Sequence, residues 1–333
     1  MILGLDVGGA NIKVGLIDDE EIVSCRSYYY PLWKFHGNLP NFFLSLKREM
    51  EKEDKIHKTG VVMTGELADS FETRKKGVLF IAESLKNAFD EVYFMDYEGV
   101  LHDIKYLREN PLNFAGSNFP ATVILASRIV EEGILLDMGS TTTDIIPFKK
   151  GKHLSGKNDL ERLMNEELVY CGFLRTNLCF LSGKVPLRGK MVRISSEYFA
   201  QTADIYRILG YIEEEEYVVE TPDKRGKSKE DCKRRIARVL CSDKEELAEN
   251  EILSVARFLK EKQVEMIRSS ILNVLERKNM SRNFVLAGIG SVILEEACEN
   301  VGNIYKIEDE YGREVSAIAP AIGVAYAVRT CVQ

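Results

Sequence analysis

ILLDMGSTTTDIIPF, residues 134–148, repeats the pattern with which the chain opens, ILGLDVGGANIKVGLID at residues 2–18. Each copy carries an apolar run, an aspartate, one apolar residue, a glycine, small or polar residues and a second apolar run. Short apolar runs on both sides of a glycine turn predict two strands joined as a hairpin, with glycine where positive φ is needed. One such hairpin says little, because many folds contain one. Two of them, each opening its own α/β stretch, predict a cleft with Asp6 and Asp137 on opposite walls.

Outward from the first hairpin, apolar spacing predicts a helix over 39–53, a strand ending in a polar turn over 58–67 and a helix over 75–89. A strand over 91–97 and a helix over 120–132, with proline in its first turn, complete this half. After the second hairpin, residues 159–265 are rich in helical patterns, with helices expected over 196–210 and 251–278. A strand in NFVLAGIGS (283–291) precedes a helix start, and the small-residue-rich SAIAPAIGVAYAVRT (316–330) reads as a tightly packed closing helix. The alternation predicts an α/β class. The expected domains are 1–125, with helix 316–330 packing on it, and 126–333, with a helical substrate or lid insertion at about 155–250.

With 333 residues, 45% of them hydrophobic, the chain can bury a core sufficient for two domains. A net charge of −7 argues against general nucleic-acid binding, which requires basic surface to neutralise phosphates. The basic run KRGKSKEDCKRRIAR (224–238) is interrupted by acids and reads as a solvated loop entering an amphipathic helix, with a mobile lid over an anionic ligand as the sharper alternative. No apolar run reaches the roughly eighteen residues of a membrane span, and the opening residues lack a signal-peptide pattern. A cytoplasmic protein acting on small-molecule substrates, without nucleic acid or membrane and open to homo-oligomer formation, is the expectation. The seven cysteines have no zinc-type spacing and read as reduced thiols; the four histidines are dispersed.

A glycine-rich turn exposes N–H groups that converge on an anion, and its small side chains let phosphate oxygens come close. An aspartate ending the preceding strand can hold Mg²⁺ beside that phosphate. Asp6 and Asp137 are therefore the candidate metal ligands. A third glycine-rich turn in FVLAGIGSVILEE (284–296), containing Gly288 and Gly290, follows a late strand and can approach a nucleoside or another flat group.

The three ordered motifs, LDVGGANIKVGLID, LLDMGSTTTDIIPF and VLAGIGS, resemble the phosphate and adenosine motifs of the actin–Hsp70–sugar kinase superfamily. The resemblance implies two ribonuclease H-like (actin-like ATPase) domains flanking a central cleft. DMGSTTTD is similar to the turn of the hydantoinase and oxoprolinase branch. Sugar kinases of the superfamily carry a catalytic aspartate after an asparagine at a helix start. Here Asn118 is followed by Phe119, so a hexose kinase is not expected.

The finer pattern resembles the archaeal methanofuran-biosynthesis condensing enzymes of this superfamily. Its carriers are GLDVGGANIK, MTGELADSF (63–71), SNFPAT, DMGSTTTDIIP, LVYCGFLRTNL (168–178) and SEYFAQTADIYRILG. The resemblance implies a transferase that joins an aminomethyl-furanmethyl diphosphate to γ-glutamyltyramine and releases diphosphate, with Mg²⁺ required and ATP not consumed. On that reading Gly8, Gly9, Asn11, Gly139, Ser140, Thr141, Thr142, Gly288 and Gly290 form the diphosphate or nucleotide site, and Lys13 returns its ammonium to the same phosphate. The base that takes the phenol proton is one of Glu66, Asp69, Asp144 and Asp204, with Glu66 favoured because it follows a strand expected to be buried. Asn118, Tyr170, Arg175 and Asp204 are the expected substrate contacts. Arg175 suits either the glutamyl carboxylate or the diphosphate, while Tyr28, Tyr29, Tyr30 and Trp33 offer rings to a furan or a phenol. The alternatives are an ATP-dependent small-molecule kinase or an ATP-coupled hydantoinase/oxoprolinase-like enzyme, which would form ADP. A nucleotide-sensing regulator, which needs a DNA-binding module absent from this acidic sequence, ranks last.

Overall fold

Both hairpins form in the computed structural model, which describes residues 1–52 and 55–331. β1 (Ile2–Val7) pairs antiparallel with β2 (Asn11–Asp18), setting Asp6 opposite Lys13. β3 (Glu21–Tyr29) pairs with β2, and β4 (Lys58–Met63), β5 (Val92–Met95) and β6 (Leu101–His102) extend the other edge, giving the order β3-β2-β1-β4-β5-β6. β1, β4 and β5 run parallel, which fits their nearly continuous apolar character: helices cover both faces.

The second sheet repeats this plan. β7 (Glu132–Met138) and β8 (Thr143–Lys149) are antiparallel with Asp137 opposite Asp144. β9 (Lys152–His153) and β10 (Leu168–Val169) flank β8. A separate hairpin, β11 (Lys184–Leu187) and β12 (Lys190–Arg193), lies in the insertion. β13 (Asn283–Ala287) and β14 (Asn303–Lys306) pair parallel beyond β7, giving β10-β8-β7-β13-β14. The 30-residue helix Glu249–Lys278 packs beneath this sheet and against the insertion. Among the described residues no helix is long and apolar enough to cross a membrane, and all seven cysteines are free.

Two helices lie between the sheets. Phe119–Ile129 packs on β7, β8 and β9, while the closing helix Ala319–Cys331 lies on β1, β2 and β4 and against Phe119–Ile129. Small residues permit the approach. A Cβ on Gly4 would fall 1.8 Å from the Ala321 carbonyl oxygen, and one on Gly323 would fall 1.9 Å from that of Ala121. The boundary expected at residue 125 therefore cuts a continuous helix. Nothing in composition or periodicity changes at that point, because the helix is apolar toward both neighbours.

Other expectations shift at their edges. The helix expected over 39–53 spans Leu39–Met50, and residue 53 lies outside the described residues, as do the last two residues of the expected second domain. That expected over 196–210 begins at Thr202, where Gln201 and Asp204 form a capping box. β3 was not anticipated. It is a half-exposed edge strand, EIVSCRSYY, without the apolar run that marked its neighbours.

Candidate active site

The two hairpin turns are built alike. Gly8 N–H donates to the Asn11 carbonyl at 3.0 Å, and Gly139 N–H donates to the Thr142 carbonyl at the same 3.0 Å. Neighbouring backbone ties their carbonyls from behind. Leu32 and Tyr30 N–H groups reach Gly9 and Ala10, both at 2.9 Å, while Phe173 reaches Gly139 at 2.9 Å and Leu174 and Arg175 reach Ser140 at 3.0 and 2.9 Å. Gly65 and Gly172 let the supporting chain approach, since a Cβ would come within 3.0 Å of Gly8 O and 2.5 Å of Thr141 N respectively. The N–H groups of Gly9, Ala10, Ser140, Thr141 and Thr142 have no protein acceptor among the described residues. A Cβ on Gly9 would meet no protein atom within 4 Å, and Gly9 borders the cavity. Packing does not demand glycine there, and its open side leaves room for a ligand atom to come close.

Both turns line one cavity of about 1600 Å³ between the sheets, large enough for two small substrates. Asp6 and Asp137 end β1 and β7 at its floor. Lys13 Nζ lies 3.5 Å from Asp6 Oδ2, while Asp6 Oδ1 is buried with no partner. Burial raises the Asp6 carboxyl above its ordinary range against the pull of Lys13. Asp137 is pushed up to about 7 by burial, opposed by Lys13 and reinforced by the charges of Asp144 and Asp6. Gly288, at φ +83°, holds Asp137 in place: a Cβ there would fall 2.4 Å from Asp137 Oδ1. These crowded, under-partnered carboxylates suit a hard divalent cation. Among the described residues no three His, Cys, Asp or Glu side chains form a closed metal shell. Asp6 and Asp137 are the residues that could hold Mg²⁺, which retains waters and takes phosphate oxygens beside one or two carboxylates.

The hydantoinase/oxoprolinase family profile matches residues 57–330. A relative from Methanocaldococcus jannaschii, described as "(4-{4-[2-(gamma-L-glutamylamino)ethyl]phenoxymethyl}furan-2-yl)methanamine synthase", is 40% identical over 327 residues, 98% of this chain and 96% of the relative. The chain belongs to the hydantoinase/oxoprolinase family. Within it, the chain falls in the methanofuran-biosynthesis group of that synthase. Two solved structures share the fold. The nucleotide-free acetone carboxylase structure superposes with a TM-score of 0.58 at 10% identity, covering 98% of this chain and 70% of that one. The ethanolamine utilization protein EutJ from Carboxydothermus hydrogenoformans gives 0.50 at 14% identity, covering 97% and 88%. The chain has the actin-like α/β fold.

In this member of the hydantoinase/oxoprolinase family, Asn11, Lys13, Asn118, Asp144, Tyr170 and Arg175 border the same cavity as the turns. Of the four candidate rings Tyr29 and Trp33 border it, while Tyr28 and Tyr30 pack on Phe42. Three more expected residues do not border it. Gly290 packs against Met138, whose sulfur would lie 2.2 Å from an added Cβ, and its N–H donates to the Met138 carbonyl at 3.1 Å. Asp204 is fully buried, bonded to Arg235 Nε at 2.8 Å and to the Tyr217 hydroxyl at 3.0 Å. It holds the insertion together and contacts no ligand space. Arg235 comes from the basic run expected to be solvated, yet it is buried on Asp204 and Asp223. Glu66, the favoured base, sits behind the cavity wall, because Gly77 lets the helix Arg74–Ala88 press onto its backbone.

The Glu66 carboxyl meets Arg74 at 3.4 Å, and its second oxygen is buried without a partner. Arg74 also reaches Asp159 of the other half at 3.3 Å, Arg162 lies 3.4 Å from Asp159, and Arg162 pairs with Asp144. This chain of charges was invisible in the sequence. Asn158 signals a helix start, but nothing local shows that the helix Asp159–Met164 turns its Asp159 and Arg162 toward the opposite domain.

Burial pushes the Glu66 carboxyl up to about 7 from an ordinary value of 4.5, against the pull of Arg74. Between those values the unfolded chain has lost a proton that the folded one keeps, so stability falls as pH rises. The expected loss is about 1.4 kcal/mol per pH unit, roughly 3 kcal/mol across the window, and it levels off above pH 7. Urea midpoints of Glu66→Gln should show that slope flattened; a slope identical to wild type would contradict the assignment.

Proposed function

We propose that the chain is a furanylmethyl transferase of methanofuran biosynthesis. It condenses 5-(aminomethyl)-3-furanmethanol diphosphate with γ-glutamyltyramine through the phenol oxygen and releases diphosphate, without consuming ATP. The observation that carries this reading is the pair of matched turns, with five unpaired N–H groups, facing Lys13, Asp6 and Asp137 in a single cavity. The naming of the Methanocaldococcus relative supports the choice of substrates.

The bond from the furanylmethyl carbon to diphosphate breaks with its electron pair going to the leaving group, and the bond from that carbon to the phenol oxygen forms. The furan stabilises positive charge on the carbon. Catalysis therefore consists mainly of receiving negative charge on the departing diphosphate, which the turn N–H groups and Lys13 are placed to do. Mg²⁺ held by Asp6 and Asp137 would neutralise part of that charge. For the phenol proton, Asp69 replaces Glu66 as the preferred acceptor. It borders the cavity and has no ion-pair partner among the described residues, whereas Asp144 is committed to Arg162.

Asp69→Asn is expected to lower kcat about 100-fold, the scale of general-base assistance, while Glu66→Gln stays within about threefold. The reverse ranking in steady-state assays would return the role to Glu66. The decisive experiment incubates purified protein with Mg²⁺, both substrates and ATP. Coupled ether and diphosphate should appear in equal amounts with no ADP. ADP without ether would favour a phosphotransferase.

A further inference from the structure

We propose that the corner of the cavity formed by Trp33, Tyr29, Arg175, Tyr198 and Glu220 is the acceptor subsite, gripping the α-amino-acid end of an aromatic γ-glutamyl amide. This rests on the condensation reading and assigns it a place in the molecule.

The corner spans both halves of the chain. Trp33 follows Leu32, whose N–H holds the first turn at Gly9, and Arg175 holds the second turn at Ser140 through its own N–H. The side chains meet across the cavity, with the Arg175 guanidinium 5.0 Å from the centre of the Trp33 ring. Lys34, next to Trp33, pairs with Glu220 of the insertion. Tyr29 and Tyr198 border the same space as residues 43% and 48% exposed, so surface there remains open to a ligand.

Arg175 is half-buried, yet its guanidinium has no carboxylate or carbonyl partner among the described residues. A guanidinium near a ring and without a protein acceptor has N–H groups left for a planar anion, and a carboxylate matches its fork in two parallel bonds. Two anions compete for this role: the diphosphate and the acceptor's carboxylate. Electrostatics favours the second. Lys13, not Arg175, is the cation acting on Asp6 and Asp137 at the turns. The charge of Arg175 bears instead on Tyr198, whose phenol burial pushes up and Arg175 pulls down, and more weakly on Tyr29, which burial and Glu220 push up, and on Glu220, which Lys34 chiefly pulls down. A γ-glutamyl end carries a carboxylate for Arg175 and an ammonium for the Glu220 oxygen that Lys34 does not hold, and the rings of Tyr29 and Tyr198 offer stacking surface to the rest. Simple tyramine, which lacks the carboxylate, would leave Arg175 unpaired.

Trp33 is the chain's single tryptophan, so intrinsic fluorescence reports on this corner directly. γ-Glutamyltyramine should change the emission of the wild-type protein, and Arg175→Met should weaken its Kd about 30-fold, equivalent to ~2 kcal/mol. The Kd for tyramine should move less than threefold, and the KM for the furan diphosphate should be unchanged. Silent fluorescence, equal losses for the two amines, or a loss confined to the furan diphosphate would each overturn the subsite. Because the titration needs no turnover, the two ideas separate. Selective binding without ether formation would defeat the reaction and keep the subsite; ether formation with unselective Arg175→Met would do the opposite.

Discussion

Asp6→Asn and Asp137→Asn are each expected to lower kcat/KM by about 1000-fold or more, a loss of ~4 kcal/mol of transition-state stabilisation, while the protein stays folded. The magnitude follows from where the charge goes. When diphosphate departs, negative charge accumulates between the two turns, and these carboxylates are the groups able to keep a divalent cation there. Stability should behave differently. Burial and neighbouring acids have pushed Asp137 up to about 7, so its ionised form is held at a cost wherever no cation neutralises it. An amide relieves that cost, and Asp137→Asn is expected to raise Tm by a few degrees near pH 8 as it abolishes turnover. Asp6→Asn removes the partner of Lys13 as well as a repelled charge, so its Tm should change little. Wild-type rates in either variant would remove the metal assignment; a lower Tm in Asp137→Asn would make that residue structural.

The second large effect lies at the joint between the sheets. Gly323→Ala is expected to cost about 3 kcal/mol or more in urea unfolding, although alanine gains roughly 1 kcal/mol over glycine within an isolated helix. The added methyl would stand 1.9 Å from the Ala121 carbonyl oxygen, and a helix backbone cannot yield there without lifting the closing helix from Phe119–Ile129. Gly4→Ala strikes the opposite face of the same helix, 1.8 Å from Ala321 O, and should be comparably severe. Stabilisation by Gly323→Ala would show that the joint is looser than these contacts require.

These two results bear on different kinds of information. The closing helix was legible because its run of alanines and glycine matches an element covered on all sides, and Ala319–Val328 is indeed buried throughout. That it also lies against the helix Phe119–Ile129 was not legible, since the domain boundary expected at 125 passed through that helix. Glu66 shows the same limit. It follows a buried strand as expected, but whether it opens on the cavity or turns behind it depends on Gly77 in a different helix. Asp204 looked like a free acid in the sequence; Arg235 and Tyr217, more than ten residues away, make it a buried anchor.

What the sequence alone determined were the two phosphate-type turns and the acids before them. Their geometry closes within four residues, through Gly8 to Asn11 and Gly139 to Thr142, between flanking apolar strands; Gly8, Gly9 and Gly139 do not adopt the positive φ expected of them, and what they contribute is the lack of a side chain. Tertiary structure alone decided which carboxylates face the cavity and that Arg175 meets Trp33 across it. Those outcomes depend on burial and on charged partners brought from the other half of the chain, and such long-range pairings leave no local pattern to read.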